Sequence, residues 1–348
     1  GPVTVTLSPP DTTYTKTEGD TLPDITCTAD CRPGCTFVWT RPDNTNFPAS
    51  AVLSLGQLNR SERGTYRCTA RNVVRELTTV TSVTILYGPS TVRLTPSTTS
   101  YFPIEGQTIP TITCSSDCNP VCTYSWTKDG QPHPAGSDLQ LTNIQRGQTG
   151  VSMCTASNTY GSRTSSDVGV TVKYGPGMST SISPPDTTYT RTEGDTLPNI
   201  TCIADCKPGC TFVWTKPDNT RLTASAVLSL GQLDRSQHGT YRCTARNIAG
   251  ESTTSVVVTV QYVPGTVTLS PPDTTYTRTE GDTLPDITCT ADCRPDCTFV
   301  WTKPDNTNFT VSPVLSLGQL GRSEHGPYSC TARNVVGTSK TTTNVIVQ

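Results

Sequence analysis

Residues 24–39 read DITCTADCRPGCTFVW, and the rest of the chain is organised around this stretch. It predicts a strand, a loop with two further cysteines, and a second strand that ends in Trp39. Nearly the same letters return at residues 199–214 and 286–301, and an altered copy lies at 111–126. The first cysteines of the copies are 87, 88 and 87 residues apart, which exceeds a solenoid repeat of about 20–50 residues and suits one small β-domain. We predict four tandem domains, at residues 1–87, 88–174, 175–262 and 263–348.

Composition limits the class of protein. The chain has 348 residues, sixteen cysteines in four sets of four, and a formal net charge of -2. Abundant cysteine in even sets indicates an oxidising compartment, so we expect a secreted protein or the ectodomain of a surface protein. The near-neutral charge gives no reason to expect nucleic acid as a partner. No apolar run reaches the roughly 18–20 residues that span a bilayer, so we expect no membrane contact within this segment.

Short strands account for the pattern between the cysteines. Apolar and polar residues alternate at residues 3–7 and again at 53–58, as they do in half-buried strands. We predict one strand over 53–58 and a further strand over 78–86. No window keeps a period of 3.6 residues, so an all-β fold without a long helix is expected.

The cysteine frame resembles a known family. A Cys…Trp…Cys pattern with Tyr two residues before the second Cys is typical of immunoglobulin sandwiches. The run LSLGQLNRSERGTYRCTARN at residues 53–72 is similar to that of the extracellular immunoglobulin superfamily, including tandem adhesion proteins of the carcinoembryonic-antigen and hemicentin kind. Only 41 positions separate Cys27 from Cys68, which favours the short C2 or I type. The resemblance implies four immunoglobulin-like β-sandwiches in a rod, roughly 140–160 Å long for strands of ordinary length.

The resemblance also implies roles for individual residues. Four cysteines per domain allow three pairings, of which we favour one bridge between the sheets and one within the loop. The bridges between the sheets would be Cys27–Cys68, Cys114–Cys154, Cys202–Cys243 and Cys289–Cys330. The loop bridges would be Cys31–Cys35, Cys118–Cys122, Cys206–Cys210 and Cys293–Cys297. The core would hold Trp39, Trp126, Trp214, Trp301, Tyr66, Tyr241 and Tyr328. Ser152 replaces this tyrosine in the second repeat, which is the divergent copy.

The cysteines and acidic residues also permit interpretations other than structural disulfides. A Cys-x3-Cys-x3-Cys run could hold zinc, but no His accompanies it, and a redox pair would usually be Cys-x-x-Cys. The acid pairs Glu18/Asp20, Glu193/Asp195 and Glu280/Asp282 could bind calcium, yet they lack a recognised ligand spacing. We interpret His133, His238 and His325 as residues of solvated turns. Nothing meets the requirements of a catalytic site, so we expect no enzyme and no cofactor.

Short proline-containing linkers separate the repeats. They are predicted to act as stiff joints and consist of Tyr87-Gly88-Pro89, Tyr174-Gly175-Pro176 and Tyr262-Val263-Pro264. The Cys118–Cys122 loop should lie beside Tyr87, and we hypothesise that each such loop supports the joint with the preceding domain. Gly1-Pro2 occupies the place of Gly88-Pro89, and Gln348 that of Gln261, which suggests a segment of a longer array.

The sequence also predicts glycans and protein partners. Sequons at Asn59, Asn199 and Asn308 predict N-glycosylation, and Thr and Ser near Pro permit O-glycans. Nearly identical repeats suit multivalent weak contacts. We therefore expect an adhesion protein or structural scaffold that associates with itself or with other extracellular immunoglobulin proteins. The alternative is a soluble or surface recognition receptor in host defence.

Overall fold

Strands bury every second side chain along most of the chain, as the alternating pattern requires. In the first cysteine strand, Ile25 and Cys27 are buried, whereas Thr28 is exposed. The computed structural model describes residues 1–133 and 136–348. Strands make up 52% of the chain and helices 3%, so the prediction of an all-β fold of tandem immunoglobulin-like sandwiches is confirmed. The chain divides into two units, Gly1–Lys173 and Tyr174–Gln348, and each contains two sandwiches.

The first unit begins with a sandwich of nine strands and one 3₁₀ turn. These are β1 (Val5–Ser8), β2 (Thr13–Thr17), β3 (Thr21–Leu22), β4 (Ile25–Ala29), β5 (Thr36–Thr40), β6 (Val52–Leu53), β7 (Gly56–Gln57), η1 (Arg60–Glu62), β8 (Gly64–Arg71) and β9 (Glu76–Leu86). One sheet has the order β1-β4-β6, the other has β2-β9-β8-β5, and β3 pairs with β7. Strand β2 runs parallel to β9, while every other pair of this sandwich is antiparallel.

The second sandwich of this unit has a divided last strand. Its elements are β10 (Val92–Thr95), β11 (Ser100–Tyr101), β12 (Ile112–Ser116), β13 (Thr123–Lys128), β14 (Gln131–Pro132), β15 (Asp138–Leu139), η2 (Arg146–Gln148), β16 (Gly150–Asn158), β17 (Gly161–Thr164) and β18 (Val168–Val170). The sheets have the orders β10-β12-β15 and β11-β18-β16-β13-β14, with β17 also on β16. Between β17 and β18, the Ser165 hydroxyl accepts a 3.0 Å hydrogen bond from the Cys154 amide.

The second unit contains two sandwiches that resemble the first, each with one further strand on its larger sheet. Its third sandwich contains β19 (Ser181–Ser183), β20 (Thr188–Thr192), β21 (Thr196–Leu197), β22 (Ile200–Ile203), β23 (Thr211–Thr215), β24 (Arg221–Thr223), β25 (Val227–Leu228), β26 (Gly231–Gln232), η3 (Arg235–Gln237), β27 (Gly239–Asn247) and β28 (Gly250–Gln261). The fourth contains β29 (Thr268–Ser270), β30 (Thr275–Arg278), β31 (Thr283–Leu284), β32 (Ile287–Thr290), β33 (Thr298–Thr302), β34 (Asn308–Thr310), β35 (Val314–Leu315), β36 (Gly318–Gln319), η4 (Arg322–Glu324), β37 (Gly326–Arg333) and β38 (Thr338–Val347). Their larger sheets have the orders β20-β28-β27-β23-β24 and β30-β38-β37-β33-β34.

The prediction of one strand over residues 53–58 was wrong. Val52–Leu53 pairs with β4, but Gly56–Gln57 pairs with β3, so the segment contributes to two ladders. Gly56 has φ +65, a left-handed conformation that glycine adopts without steric cost. The chain changes ladder at this residue, and Gly231 and Gly318 repeat the same turn.

The core is centred on the bridge between the two sheets. Cys27 in β4 is bonded to Cys68 in β8, and Trp39 is 1% exposed in the same cluster. The Trp39 indole donates a 3.1 Å hydrogen bond to the Ala51 carbonyl, which satisfies its buried N–H. The sixteen cysteines form eight disulfides, with cross-sheet and loop bridges in every sandwich.

The corner tyrosines lie beneath the 3₁₀ turns. The Tyr66 hydroxyl donates to the Glu62 carbonyl at 2.8 Å, and Tyr241 makes the same bond to Gln237 at 3.0 Å. Burial raises the pKa of Tyr66 to about 12. Tyr328 is buried at the equivalent place, and Ser152 fills it in the second sandwich.

Candidate functional site at the tyrosine joints

Tyr87 connects the two sandwiches of the first unit through its backbone. It lies directly after β9 and is 1% exposed. Its amide donates to the Asn119 carbonyl at 2.7 Å, and its carbonyl accepts from the Asn119 amide at 3.1 Å. The Asn158 side chain donates a further 2.9 Å bond to the same carbonyl. The linker is therefore bonded like a strand although it lies outside both sheets.

The Tyr87 side chain is enclosed by charged groups from both sides of the joint. The Arg60 guanidinium lies 4.4 Å from the ring centroid, and Glu18 accepts two bonds from it, at 2.9 and 2.7 Å. The Tyr87 hydroxyl donates to Asp117 Oδ1 at 3.0 Å and accepts from Arg63. The hydrogen bond from Arg60 lowers the pKa of Glu18, and burial raises the pKa of Tyr87.

The short loop disulfide holds the residue that pairs with this tyrosine. Asn119 lies inside the ring closed by Cys118 and Cys122, whose Cα atoms are 5.7 Å apart. The Asn119 side chain also donates to the Ile85 carbonyl in β9 at 2.8 Å. The loop of the second sandwich thus contacts the last strand of the first, at the place where the sequence predicted it.

A small residue at position 88 lets the linker lie close to the backbone of the second sandwich. A Cβ on Gly88 would lie 2.8 Å from the Tyr160 carbonyl oxygen. The contacted oxygen belongs to the backbone, so no rotation of a side chain would relieve the clash. Gly88 is therefore a packing requirement of the joint as well as a linker residue.

The second unit contains the same joint around Tyr262. Its amide donates to the Arg294 carbonyl at 2.9 Å, and its hydroxyl donates to Asp292 at 2.9 Å. Arg235 lies 4.3 Å from the ring centroid and is paired with Glu193 at 2.8 Å. Asn334 donates to the Tyr262 carbonyl at 2.9 Å. Here the linker has Val263 in place of glycine, and a Cβ on Gly337 would lie 2.8 Å from its Cγ1. We call these two assemblies, centred on Tyr87 and Tyr262, the tyrosine joints.

Within the second unit, Tyr174 makes the contacts that Tyr87 and Tyr262 make with the sandwich that follows them. It exchanges backbone bonds of 2.8 and 2.9 Å with Lys207, and its carbonyl accepts from Asn247 at 2.8 Å. Its hydroxyl donates to Asp205 at 3.3 Å. A Cβ on Gly175 would lie 3.0 Å from the Gly250 amide nitrogen. Both units therefore combine the same three elements. These are a linker tyrosine, a residue of the short disulfide loop (asparagine, lysine or arginine) that bonds its backbone, and an asparagine of the hairpin that bonds its carbonyl.

His238 was interpreted as a residue of a solvated turn, and this was wrong. It follows η3 and is half-buried, and its Nδ1 atom is buried without a hydrogen-bond partner. Burial lowers its pKa, and the nearby Arg294 guanidinium lowers it further. Since Arg294 belongs to the loop that pairs with Tyr262, the imidazole lies at the second tyrosine joint. His325 also has a structural contact, since its Nδ1 accepts from Val347 at 3.2 Å.

The acid pairs considered for calcium have other partners. Glu18, Glu193 and Glu280 bind the first arginine of the 3₁₀ turn 42 residues later. The second acid, Asp20, accepts a 2.8 Å bond from the Thr17 amide. Within residues 1–133 and 136–348, no group of three or more His, Cys, Asp or Glu could hold a metal ion. The constant spacing of 42 residues between this glutamate and its arginine is visible in the sequence and indicates the ion pair.

The three predicted glycan acceptors are exposed, and two cavities lie over the corner tyrosines. The side chains of Asn59, Asn199 and Asn308 are exposed, and Asn59 also caps η1 by accepting from the Ser61 amide at 2.9 Å. Cavities of about 420 Å³ lie over Tyr66 and over Tyr241, bordered by Arg41 and Lys216 respectively. None of the described helices is long and apolar enough to cross a membrane.

The chain is similar in sequence to known proteins. Residues 91–172 match the family model described as immunoglobulin domain. The human peroxidasin homolog is 27% identical over 96% of this chain and 24% of its own length. Human hemicentin-1 is 28% identical over 90% of this chain and 6% of its own, and rat neural cell adhesion molecule 1 is 24% identical over 82% and 38%.

The resemblance to immunoglobulin-superfamily proteins, hemicentins included, is confirmed by these matches. The chain spans about a quarter of the length of the first of these relatives. Among solved structures, the N-terminal four immunoglobulin domains of Dscam1 isoform 6.9 align over 97% of both chains. That alignment has 17% identity and a TM-score of 0.38.

Proposed function

We propose that this chain, a tandem array of immunoglobulin-superfamily sandwiches, serves as an extracellular adhesion or scaffold protein whose neighbouring sandwiches are fixed by tyrosine joints. The observation that carries the proposal is the repetition of one joint chemistry in both units. Tyr87 and Tyr262 each bind an arginine of the preceding sandwich and an aspartate of the following one. A recurring stiff joint suits a protein that holds partners at fixed separations.

The partners and surroundings follow from the same reasoning. Eight disulfides suit an oxidising, extracellular setting. Neural cell adhesion molecule 1, one of the relatives, is an adhesion protein by name. We propose self-association or binding to other extracellular immunoglobulin proteins, N-glycans at the three exposed sequons, and no catalytic role. We also propose that the chain consists of four domains, at residues 1–87, 88–174, 175–262 and 263–348.

Antibody labelling of native material in the electron microscope tests this function. An adhesion or scaffold protein is expected to be labelled at cell contacts or along extracellular filaments. Beads coated with the purified chain are further expected to aggregate if the partner is a second copy. Label confined to dispersed particles carrying a soluble ligand would contradict the proposal and favour the recognition receptor.

A further inference from the structure

A small polar cavity lies on the outer face of the first sandwich, apart from the joint. Its volume is about 250 Å³, and its lining consists of Thr40, Arg41, Pro42, Asn44, Thr65 and Arg67. Two of these six side chains are cationic and three carry hydroxyl or amide groups. None of the residues in the tyrosine joint contributes to it.

Strand register and a proline that packs against a glycine position the residues of the cavity. Thr40 and Arg67 are direct cross-strand partners in β5 and β8. Arg41 lies over the Phe47 ring at 3.7 Å and donates to the Asn46 carbonyl at 3.3 Å, so its position is fixed. Gly64 has φ +133, and a Cβ there would lie 2.6 Å from Pro42, which forms the floor.

The two cations of the cavity lack carboxylate partners. Among the described ion pairs, none includes Arg41 or Arg67. The nearby carboxylate of Asp43 accepts from the Thr45 amide and hydroxyl instead, at 2.9 and 2.6 Å. By contrast Arg71, on the same strand and face, lies 4.0 Å from Glu76. The Asp43 carboxylate partly offsets the charge of Arg41, whereas no described ion pair offsets the charge of Arg67 beside the hydrogen-bonding groups.

The third sandwich repeats the arrangement. Thr215 and Arg242 are cross-strand partners, and Arg242 is exposed with no ion pair among those described. Lys216 follows Thr215 as Arg41 follows Thr40, and Pro217 would lie 2.5 Å from a Cβ on Gly239. Asn219 has φ +66, close to the +65 of Asn44.

The other two sandwiches lack the strand arginine. Ser329 pairs with Thr302 in the fourth sandwich, and Met153 pairs with Thr127 in the second. The first and third sandwiches therefore share an arginine at this strand position, and the second and fourth have Met153 and Ser329 there. This makes charge at the strand position separable from the fold.

We propose that the cavity of the first sandwich binds an acidic sugar through its sulfate or carboxylate group, with Arg67 as the central ligand, and that the equivalent surface of the third sandwich does the same through Arg242. Guanidinium groups bind such oxyanions with two parallel hydrogen bonds. A volume of about 250 Å³ exceeds that of a carboxylate alone and leaves room for a sugar ring. The Thr and Asn groups would hydrogen-bond to the sugar hydroxyls. An acidic protein side chain has no such hydroxyl groups beside its carboxylate, which favours a sugar as the ligand. The site does not depend on the proposed adhesion or scaffold function.

Binding of defined oligosaccharides to the full chain tests the proposal. The probes are a sulfated uronic-acid tetrasaccharide, sialyllactose and neutral lactose. Their binding is measured by calorimetry at two salt concentrations. Saturable binding of either acidic probe, but not of lactose, is expected, and it should weaken with salt. Binding of only one of the two identifies sulfate or carboxylate as the group recognised.

Substitutions separate this site from general positive charge. The double variant Arg67→Ala/Arg242→Ala should lower affinity at least 10-fold, whereas the control Arg71→Ala/Arg246→Ala should change it less than about 2-fold. Ser329→Arg should raise the number of bound probes per chain from two toward three. Equal losses in the two double variants, or no saturable binding of an acidic sugar, would overturn the proposal. Self-association abolished by Arg67→Ala/Arg242→Ala without sugar binding would assign the cavity to a second copy instead.

Discussion

The hydroxyl of Tyr262 donates a 2.9 Å hydrogen bond to Oδ1 of Asp292, thirty positions later in the chain. The two residues belong to neighbouring sandwiches of the second unit, and Tyr87 and Asp117 repeat the bond at 3.0 Å in the first. An aspartate that follows a cysteine strand therefore has the same partner in both units. This bond, the arginine over the ring and the backbone bridge together define how each pair of sandwiches is connected.

Removing the arginine above the ring should loosen the second joint. Arg235→Ala deletes the cation–π contact with Tyr262 and the ion pairs of Arg235 with Glu193 and Asp292. We expect the Tyr262 amide to exchange hydrogen about 2- to 30-fold faster, as the loss of a cation–π contact implies, measured in the full chain by mass spectrometry or NMR. Arg322→Ala is the matched control, because Arg322 pairs with Glu280 but its side chain is 85% exposed. Equal effects of the two substitutions on Tyr262 would contradict the assignment.

Loss of the tyrosine hydroxyl should weaken the joint without altering the core. Tyr262→Phe removes the hydrogen bond to the exposed Asp292 carboxylate and is expected to cost about 0.5–1.5 kcal/mol of local stability. The protection of the Arg294 loop amides should fall, while the protection of the Cys330 strand should not change. Unchanged protection in the Arg294 loop would show that this bond adds nothing to the connection.

A methyl group at Gly88 should force the first joint apart. Because Gly88→Ala would place Cβ 2.8 Å from the Tyr160 carbonyl, we expect a destabilisation of about 1–3 kcal/mol at this joint. Gly34→Ala is the control, since a Cβ there has no atom within 4 Å. The measurement is hydrogen exchange at the Tyr87 amide. Normal protection in Gly88→Ala would mean that the linker moves without cost.

Mild acid should weaken the second joint more than the first. Burial and Arg294 lower the pKa of His238 from its ordinary value of 6.5, so protonation favours the unfolded form. The stability contributed by the neutral imidazole is complete above pH 6.5, falls as the pH drops through 6.5, and levels off below the lowered pKa. The protection of the Tyr262 amide, relative to that of Tyr87, should therefore decrease between pH 7.5 and 5.

His238→Asn provides the test of that pH dependence. In this variant the ratio of the two protections should stay constant, because no imidazole remains to titrate at the joint. His133→Asn, in the first unit, should leave the wild-type decrease in place. A decrease that persists in His238→Asn would assign the pH effect to other groups.

The sequence predicted the features that depend on local pattern. The alternation in residues 24–39 predicts the paired cysteine strands, and the Cys27–Trp39–Cys68 frame favours the sandwich now observed. The break at Gly56 was missed, because alternation alone does not reveal a left-handed backbone conformation.

The joints were only partly predictable for a different reason. The Tyr87 linker was recognised, yet its contacts with Arg60 and Asp117 join residues far apart in the chain. The half-buried state of His238 likewise depends on Arg294 from the next sandwich. Such packing follows from the placement of whole sandwiches, which periodicity in the sequence does not encode.

Hydrogen exchange at the Tyr87 and Tyr262 amides of the unmodified chain tests the central claim most directly. If the joints are fixed as described, both amides are protected to a degree comparable with the paired strands β8 and β37. If both exchange as fast as the amides of an open linker, neighbouring sandwiches move independently, and the account of fixed tyrosine joints is wrong.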